Sequence, residues 1–175
     1  MRHSPNADCT PMATPEHYIY RIDHDEGFAP NPDHGSCTLC GCKVNTIEAW
    51  AQPGSWVIGV GGNGTGKPNK LIYAMKVEHV LSRAEFKAKY RKKGKYLNKT
   101  KKAAANVLFS RKFYYFGDNA IDLPKKLRHI LIRGRGCKCV PAEAIVKLSP
   151  YLSSRYSYGK KGRPNNPLNE TRLPC

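Results

Sequence analysis

The run Asp23-His24-Asp25 places two carboxylates and an imidazole on consecutive positions, just ahead of Gly27 and the proline-fixed stretch "FAPNP". Such groups work as general acid and base when a loop holds them against a reacting atom. The plainer reading is a turn that carries ordinary solvated acids. Cys37, Cys40 and Cys42 follow closely. Cys37 and Cys40 have the C-x2-C spacing that lets two thiolates of one turn share a tetrahedral zinc, and Cys137 and Cys139 could supply a second pair. Against this, C-x-C is tighter than the common zinc spacings, and Cys42 and His34 compete for the same role. Cys37 and Cys42 are equally candidates for a nucleophile or a redox thiol, and plain buried cysteine is the third alternative. Zinc is the one cofactor these spacings suggest, and none is required by them.

A second chemical candidate is "GVGGNGTGKPNK", in which Gly61, Gly66 and Lys67 have the spacing of a phosphate-binding loop. Such a loop needs a Ser or Thr hydroxyl after its lysine to hold magnesium and a helix that starts at the phosphates. Here Pro68 follows, and "KLIYAMKV" alternates like a strand. Nucleotide hydrolysis at this loop is therefore excluded. What remains is a glycine-rich hairpin tip, whose backbone amides could approach an anion beside Lys67 and Lys70 or could simply turn the chain.

The charge is unevenly spread. Residues 1–60 hold 3 Lys/Arg against 7 Asp/Glu, and residues 61–175 hold 27 against 6, for a net +17. A cation this dense neutralises phosphates, so nucleic acid or a nucleotide is the expected partner. From Arg83 to Lys102 there are ten Lys/Arg and one acid, interleaved with Phe86, Tyr90 and Tyr96. Arg91, Lys92, Lys93 and Lys95 stand at its centre. "KKLRHILIRGRGCK" adds six cations, among them Arg133 and Arg135, around the strand-like "HILI". Either stretch alone would read as a solvated face; two on separate elements point to binding.

These residues have to be positioned by few elements. "HYIYRI" alternates as a strand, "SWVIGVG" and "KLIYAMKV" read as a hairpin, and "VLFSRKFYYF" as a strand core. Ser82 and Glu85 form a capping box that opens a helix, and Pro141 introduces a second. No apolar run approaches the roughly 20 residues that span a bilayer, so no membrane partner is expected. The opening residues lack an apolar core of the signal-peptide kind, which favours a cytoplasmic chain and argues against disulfide staples. The expected organisation is a mobile leader at 1–15, a single α+β domain at 16–150, and an irregular basic tail at 151–175. The fold class is a small curled sheet or open barrel with short edge helices and long loops.

With "DHDEGFAPNPDHGSCTLCGCK", "GSWVIGVGG", "LIYAMKV" and "FSRKFYYFGDNAIDLP" in view, residues 18–124 resemble the nucleotide modification associated domain 2 family. That resemblance implies a small α+β domain of the kind found in bacteriophage genomes near enzymes that make modified DNA bases, and those enzymes become candidate partners. It further implies an arrangement similar to the PUA-like barrels, including the EVE and YTH readers of modified bases. The matched positions are Asp23, His24, Asp25, Gly27, Phe28, Pro30, Asn31, Pro32, Cys37 and Cys42, then Tyr114, Tyr115, Phe116 and Gly117. The family's cysteine pair, C-x4-C, fits Cys37 and Cys42.

Three functions follow. A reader would hold a base between Phe28, Tyr114 and Tyr115 while Lys67, Lys70, Arg91, Lys92, Lys93, Lys95, Arg133 and Arg135 hold the backbone. An enzyme would act on a nucleotide or base through Asp23, His24, Asp25, Cys37 or Cys42. A metal-stapled structural module is the third. Recognition is placed ahead of catalysis.

Overall fold

The computed structural model describes residues 15–41, 46–92 and 106–167. Strands lie at His17–Ile22 (β1), Cys37–Leu39 (β2), Trp56–Gly61 (β3), Leu71–Lys76 (β4), His79–Leu81 (β5), Val107–Ser110 (β6), Phe113–Tyr115 (β7), Cys137–Val140 (β8) and Gly159–Lys160 (β9). Six of them form a mixed sheet in the order β8-β1-β3-β4-β7-β9, and β2-β6-β5 form a small antiparallel one. The chain is thus α+β, with short helices and long connections.

Residue pattern explains why the large sheet is covered on both faces. On β1, Tyr18, Tyr20 and Ile22 point to one side and Ile19 to the other; on β7, Phe113 and Tyr115 oppose Tyr114 and Phe116 beyond it. The face with Tyr20, Tyr73, Met75, Phe113 and Tyr115 packs on Cys37, Leu39 and Leu108 of the small sheet. The opposite face, with Ile58, Leu71 and Tyr114, packs on helix α3 (Ala142–Ser153) through Ala144, Ile145, Leu148 and Leu152, spaced as one helical stripe. Each fully buried large side chain contributes roughly 1.5–3 kcal/mol, so these two layers carry most of the stability.

A bent ribbon joins the sheets. β4 continues into β5 across Val77 and Glu78, and β6 into β7 across Arg111 and Lys112, so a single pair of strands serves both sheets. The Glu78 carboxylate holds the corner by accepting from the Arg111 amide and the Ser110 hydroxyl and by pairing with Lys112 at 3.9 Å. Partial burial works against its charge, but these donors prevail and hold its carboxyl below the usual range.

Helix α2 (Arg83–Lys89), which follows the short helix α1 (Ile47–Trp50), opens on the expected capping box: Ser82 N donates to Glu85 at 2.7 Å and Glu85 N to the Ser82 hydroxyl at 3.2 Å. It covers the outer face of the small sheet through Phe86 and Phe109. The strand expected at "HILI" is instead the end of a 3-10 helix, Lys125–Ile130, where Leu127 and Ile130 are buried at a spacing of three and Arg128 and His129 between them face out. Residues 151–175 were read as an irregular basic tail; residues 151–167, its described part, start inside α3, supply β9 beside β7, and return to residues 25 and 64. Among the described residues no helix is long and apolar enough to cross a membrane.

Candidate nucleic-acid interface

The acidic loop at the end of β1 is built against the hairpin tip. Asp25 is fully buried, and its carboxylate accepts from the Tyr115 hydroxyl at 2.6 Å and from Asn165 through the backbone amide at 3.1 Å and the side-chain amide at 2.9 Å. Burial, and then the adjacent Asp25 charge, push the Tyr115 hydroxyl far above its ordinary pKa, so it stays a donor. Asp23 is exposed and lies 3.5 Å from Arg135. His24 is exposed and packs over Gly64. The three residues therefore go to three different tasks, and the one fully buried carboxylate is occupied by the returning tail.

The glycines of the tip have the same origin. A Cβ on Gly64 would lie 2.3 Å from the Asp23 carbonyl oxygen, and one on Gly61 would lie 2.1 Å from the Lys67 carbonyl oxygen. The amides of Gly61, Gly62, Thr65, Gly66 and Lys67 all donate within the protein, and the Thr65 hydroxyl closes the turn onto the Gly62 carbonyl at 2.7 Å. A phosphate nest would need those amides pointing outward. The tip is thus a packed turn, with Lys67 and Lys70 half-exposed beside it.

One residue gathers the cations of this end. Arg21 of β1 donates from Nε to the Gly134 carbonyl at 2.9 Å and from Nη2 to Asn69 Oδ1 at 2.9 Å and to the Ile132 carbonyl. Asn69 sits in the hairpin connection with Lys67 and Lys70, and Gly134 lies between the exposed Arg133 and Arg135. A single guanidinium therefore ties together two basic loops that are far apart in sequence. Lys70 pairs with Asp122 at 3.4 Å and Arg135 with Asp23, both at exposed positions where such pairs contribute little. Lys67 and Arg133 make no ion pair among the described residues. Arg21 itself was missed in the sequence, where it reads as one cation in an alternating strand.

Arg91 and Lys92 stand elsewhere, at the rim of a cavity of about 400 Å³ between the end of α2 and β6. Lys89, Tyr90, Arg111, His34 and Ser36 also line it. Lys93 and Lys95 lie outside the described residues. The Tyr90 ring stacks on Phe109 at 4.4 Å. His34 and Gly35 take left-handed backbone, at φ 58° and 69°, which turns the chain back so that Thr38 pairs with Asn31.

The expected stacking residues are core. Tyr114 and Tyr115 are 1% and 0% exposed and Phe28 is 8%, so none offers a ring face to a base. The described thiols are not grouped as a zinc site requires. Cys37 and Cys40 are buried in separate apolar clusters, and among the described residues no three His, Cys, Asp or Glu side chains are grouped to hold a metal. Burial, followed by the Glu48 charge, pushes the Cys40 thiol up to about 12. Cys139 is disulfide-bonded, against the expectation that no cysteine is a staple, and Cys137 beside it on β8 is a half-buried thiol. Cys42 lies outside the described residues.

The nucleotide modification associated domain 2 family matches residues 14–105 and 87–171. The chain belongs to that family, as its acidic loop and "YYFG" led one to expect. Comparison with curated proteins gives no match. Among solved structures, ASCH from Zymomonas mobilis is similar at 8% identity and a TM-score of 0.44, over 76% of this chain and 93% of that one. A point variant of that protein gives 8% identity and 0.43, over 79% and 99%. Likeness at that level carries no functional weight.

Proposed function

We propose that this protein binds nucleic acid, DNA ahead of RNA, as a recognition module in nucleotide modification, with Lys67, Lys70, Arg133 and Arg135 holding the phosphate backbone. The observation that carries this reading is the Arg21 clamp, which sets two cationic loops side by side at one end of the large sheet. Phosphate contacts by several Lys and Arg release counterions and supply a large, sequence-independent part of affinity. Membership of a family associated with nucleotide modification supports the same assignment.

Recognition is favoured over catalysis by the fate of the acidic loop. An acid–base mechanism needs its groups to converge on a reacting atom, whereas Asp25 is held by Tyr115 and Asn165 and Asp23 pairs with Arg135. The test is charge reversal at the clamped loop. Arg133→Glu combined with Arg135→Glu is expected to weaken binding of duplex DNA at low salt by at least about tenfold, with unfolding temperature unchanged, since both side chains are exposed. Equal binding by parent and variant would overturn the assignment.

A further inference from the structure

We propose that the cavity between α2 and β6 is a separate site for a single nucleotide, either free or unstacked from a strand. It deepens the nucleic-acid reading only in the strand-borne case; the free-nucleotide case stands without it.

Two properties of the cavity define the ligand. The first is its charge. Lys89, Arg91, Lys92 and Arg111 line it, and among the described residues no carboxylate does. The nearest acid of the corner, Glu78, accepts the backbone amide of Arg111 and pairs with Lys112, which leaves the Arg111 guanidinium at the cavity. Four like charges around one concavity repel one another, and an anion seated among them relieves that repulsion while gaining charge-assisted hydrogen bonds. Ser36 adds a hydroxyl to the same lining.

The second is a rigid aromatic wall. Phe109 stacks with Tyr90 at 4.4 Å and 21° and with His79 at 6.0 Å and 29°, and Phe86 contacts both Phe109 and Tyr90. Phe86 and Phe109 are anchored in the cluster beneath α2, so the wall is fixed by packing. Tyr90 is half-buried, with the Lys89 ammonium 5.6 Å from its ring centre. Phe86 and Phe109, themselves buried, back this ring, and the half-buried Tyr90 beside several cations suits a ligand that is planar and aromatic at one end and anionic at the other. That is the chemistry of a nucleoside phosphate. A volume of about 400 Å³ lies in the range of small-molecule sites, roughly 300–1,000 Å³, and has no room for a duplex.

The experiment titrates the full chain with a deoxynucleoside 5′-monophosphate, the matching nucleoside and inorganic phosphate, followed by calorimetry or amide chemical shifts. The nucleotide is expected to bind at least about tenfold more tightly than either part, because the wall and the cations act together. Arg111→Ala, at an exposed position, is expected to weaken it about tenfold. A single-stranded oligonucleotide that displaces the nucleotide identifies the strand as a source; no displacement leaves the free nucleotide as the ligand, and the site stands in either case. Equal binding of nucleotide and inorganic phosphate would reduce the cavity to an anion patch and overturn the proposal, as would an unchanged affinity in Arg111→Ala. Arg133→Glu with Arg135→Glu should leave mononucleotide binding intact, so a failure at this cavity and a failure at the Arg21-clamped loops give different results.

Discussion

The Asp25 carboxylate accepts three hydrogen bonds in a place that water does not reach, from Tyr115 and from both amides of Asn165. Removing it strands the buried Tyr115 hydroxyl and the half-buried amides of Asn165 together, and unsatisfied donors cost more than the bonds themselves contribute. Asp25→Ala is therefore expected to lower stability by roughly 2–4 kcal/mol, measured by thermal or urea unfolding. An unchanged midpoint would contradict the structural role assigned here and reopen a chemical one. His17 gives a second expectation, because its Nδ1 accepts from the Trp56 amide at 3.0 Å and ties β1 to β3 only while the ring is neutral there. Burial, and then Lys76, hold its folded-state pKa below 6.5. The unfolded chain thus takes up the proton first on acidification. The contribution is whole above about pH 6.5 and is lost as pH falls from there towards the folded value. His17→Asn keeps an acceptor and does not titrate, so its unfolding temperature should change less between pH 7.5 and about pH 5.5 than the parent's. Equal changes in the two proteins would show that His17 is not the titrating group.

Among the elements, the hairpin tip and the returning tail are held by close backbone approach. A Cβ on Gly64 would stand 2.3 Å from the Asp23 carbonyl oxygen, and one on Gly162 would stand 1.8 Å from that of Phe116. Both opposing atoms are backbone, so neither can give way cheaply. Gly64→Ala is expected to cost roughly 1–3 kcal/mol and to raise hydrogen exchange at residues 23–25, and Gly162→Ala to do the same for β9. Unaltered stability in both would mean that the tip and tail are not packed as described. The glycines were legible as a turn, but not as a turn shaped by its neighbours. Nothing in "GGNGTG" says that residues 23–25 will lie on it, because that contact depends on β1 and β3 pairing in parallel across the chain. The capping box of α2 and the alternation of β1, in contrast, were local signals and appear as expected. "HILI" misled because a short apolar run has no period of its own, and Pro124 with burial at 127 and 130 settles it as 3-10.

The whole molecule separates its buried polar groups from its cations. The acidic loop, where the sequence left acid–base chemistry and an ordinary turn both open, is the socket into which the tail docks through Asn165 and Asn166. Among the described cations, Lys67, Lys70, Arg133 and Arg135 lie on the loops clamped by Arg21, and Lys89, Arg91, Lys92 and Arg111 line the aromatic-walled cavity beside α2. Charge was legible because it needs no partner; the clamp was not, because it joins residues 21, 69 and 134. The most direct test of the central claim is the salt dependence of duplex binding, as the slope of log Kobs against log salt for the parent and for Arg133→Ala combined with Arg135→Ala. Each phosphate contact contributes a slope of about −0.9 on duplex DNA. The parent should therefore give a steep slope, and the variant one shallower by roughly two, with weaker binding of every sequence tested. Identical slopes in the two proteins would contradict the claim that the Arg21-clamped loops hold the backbone.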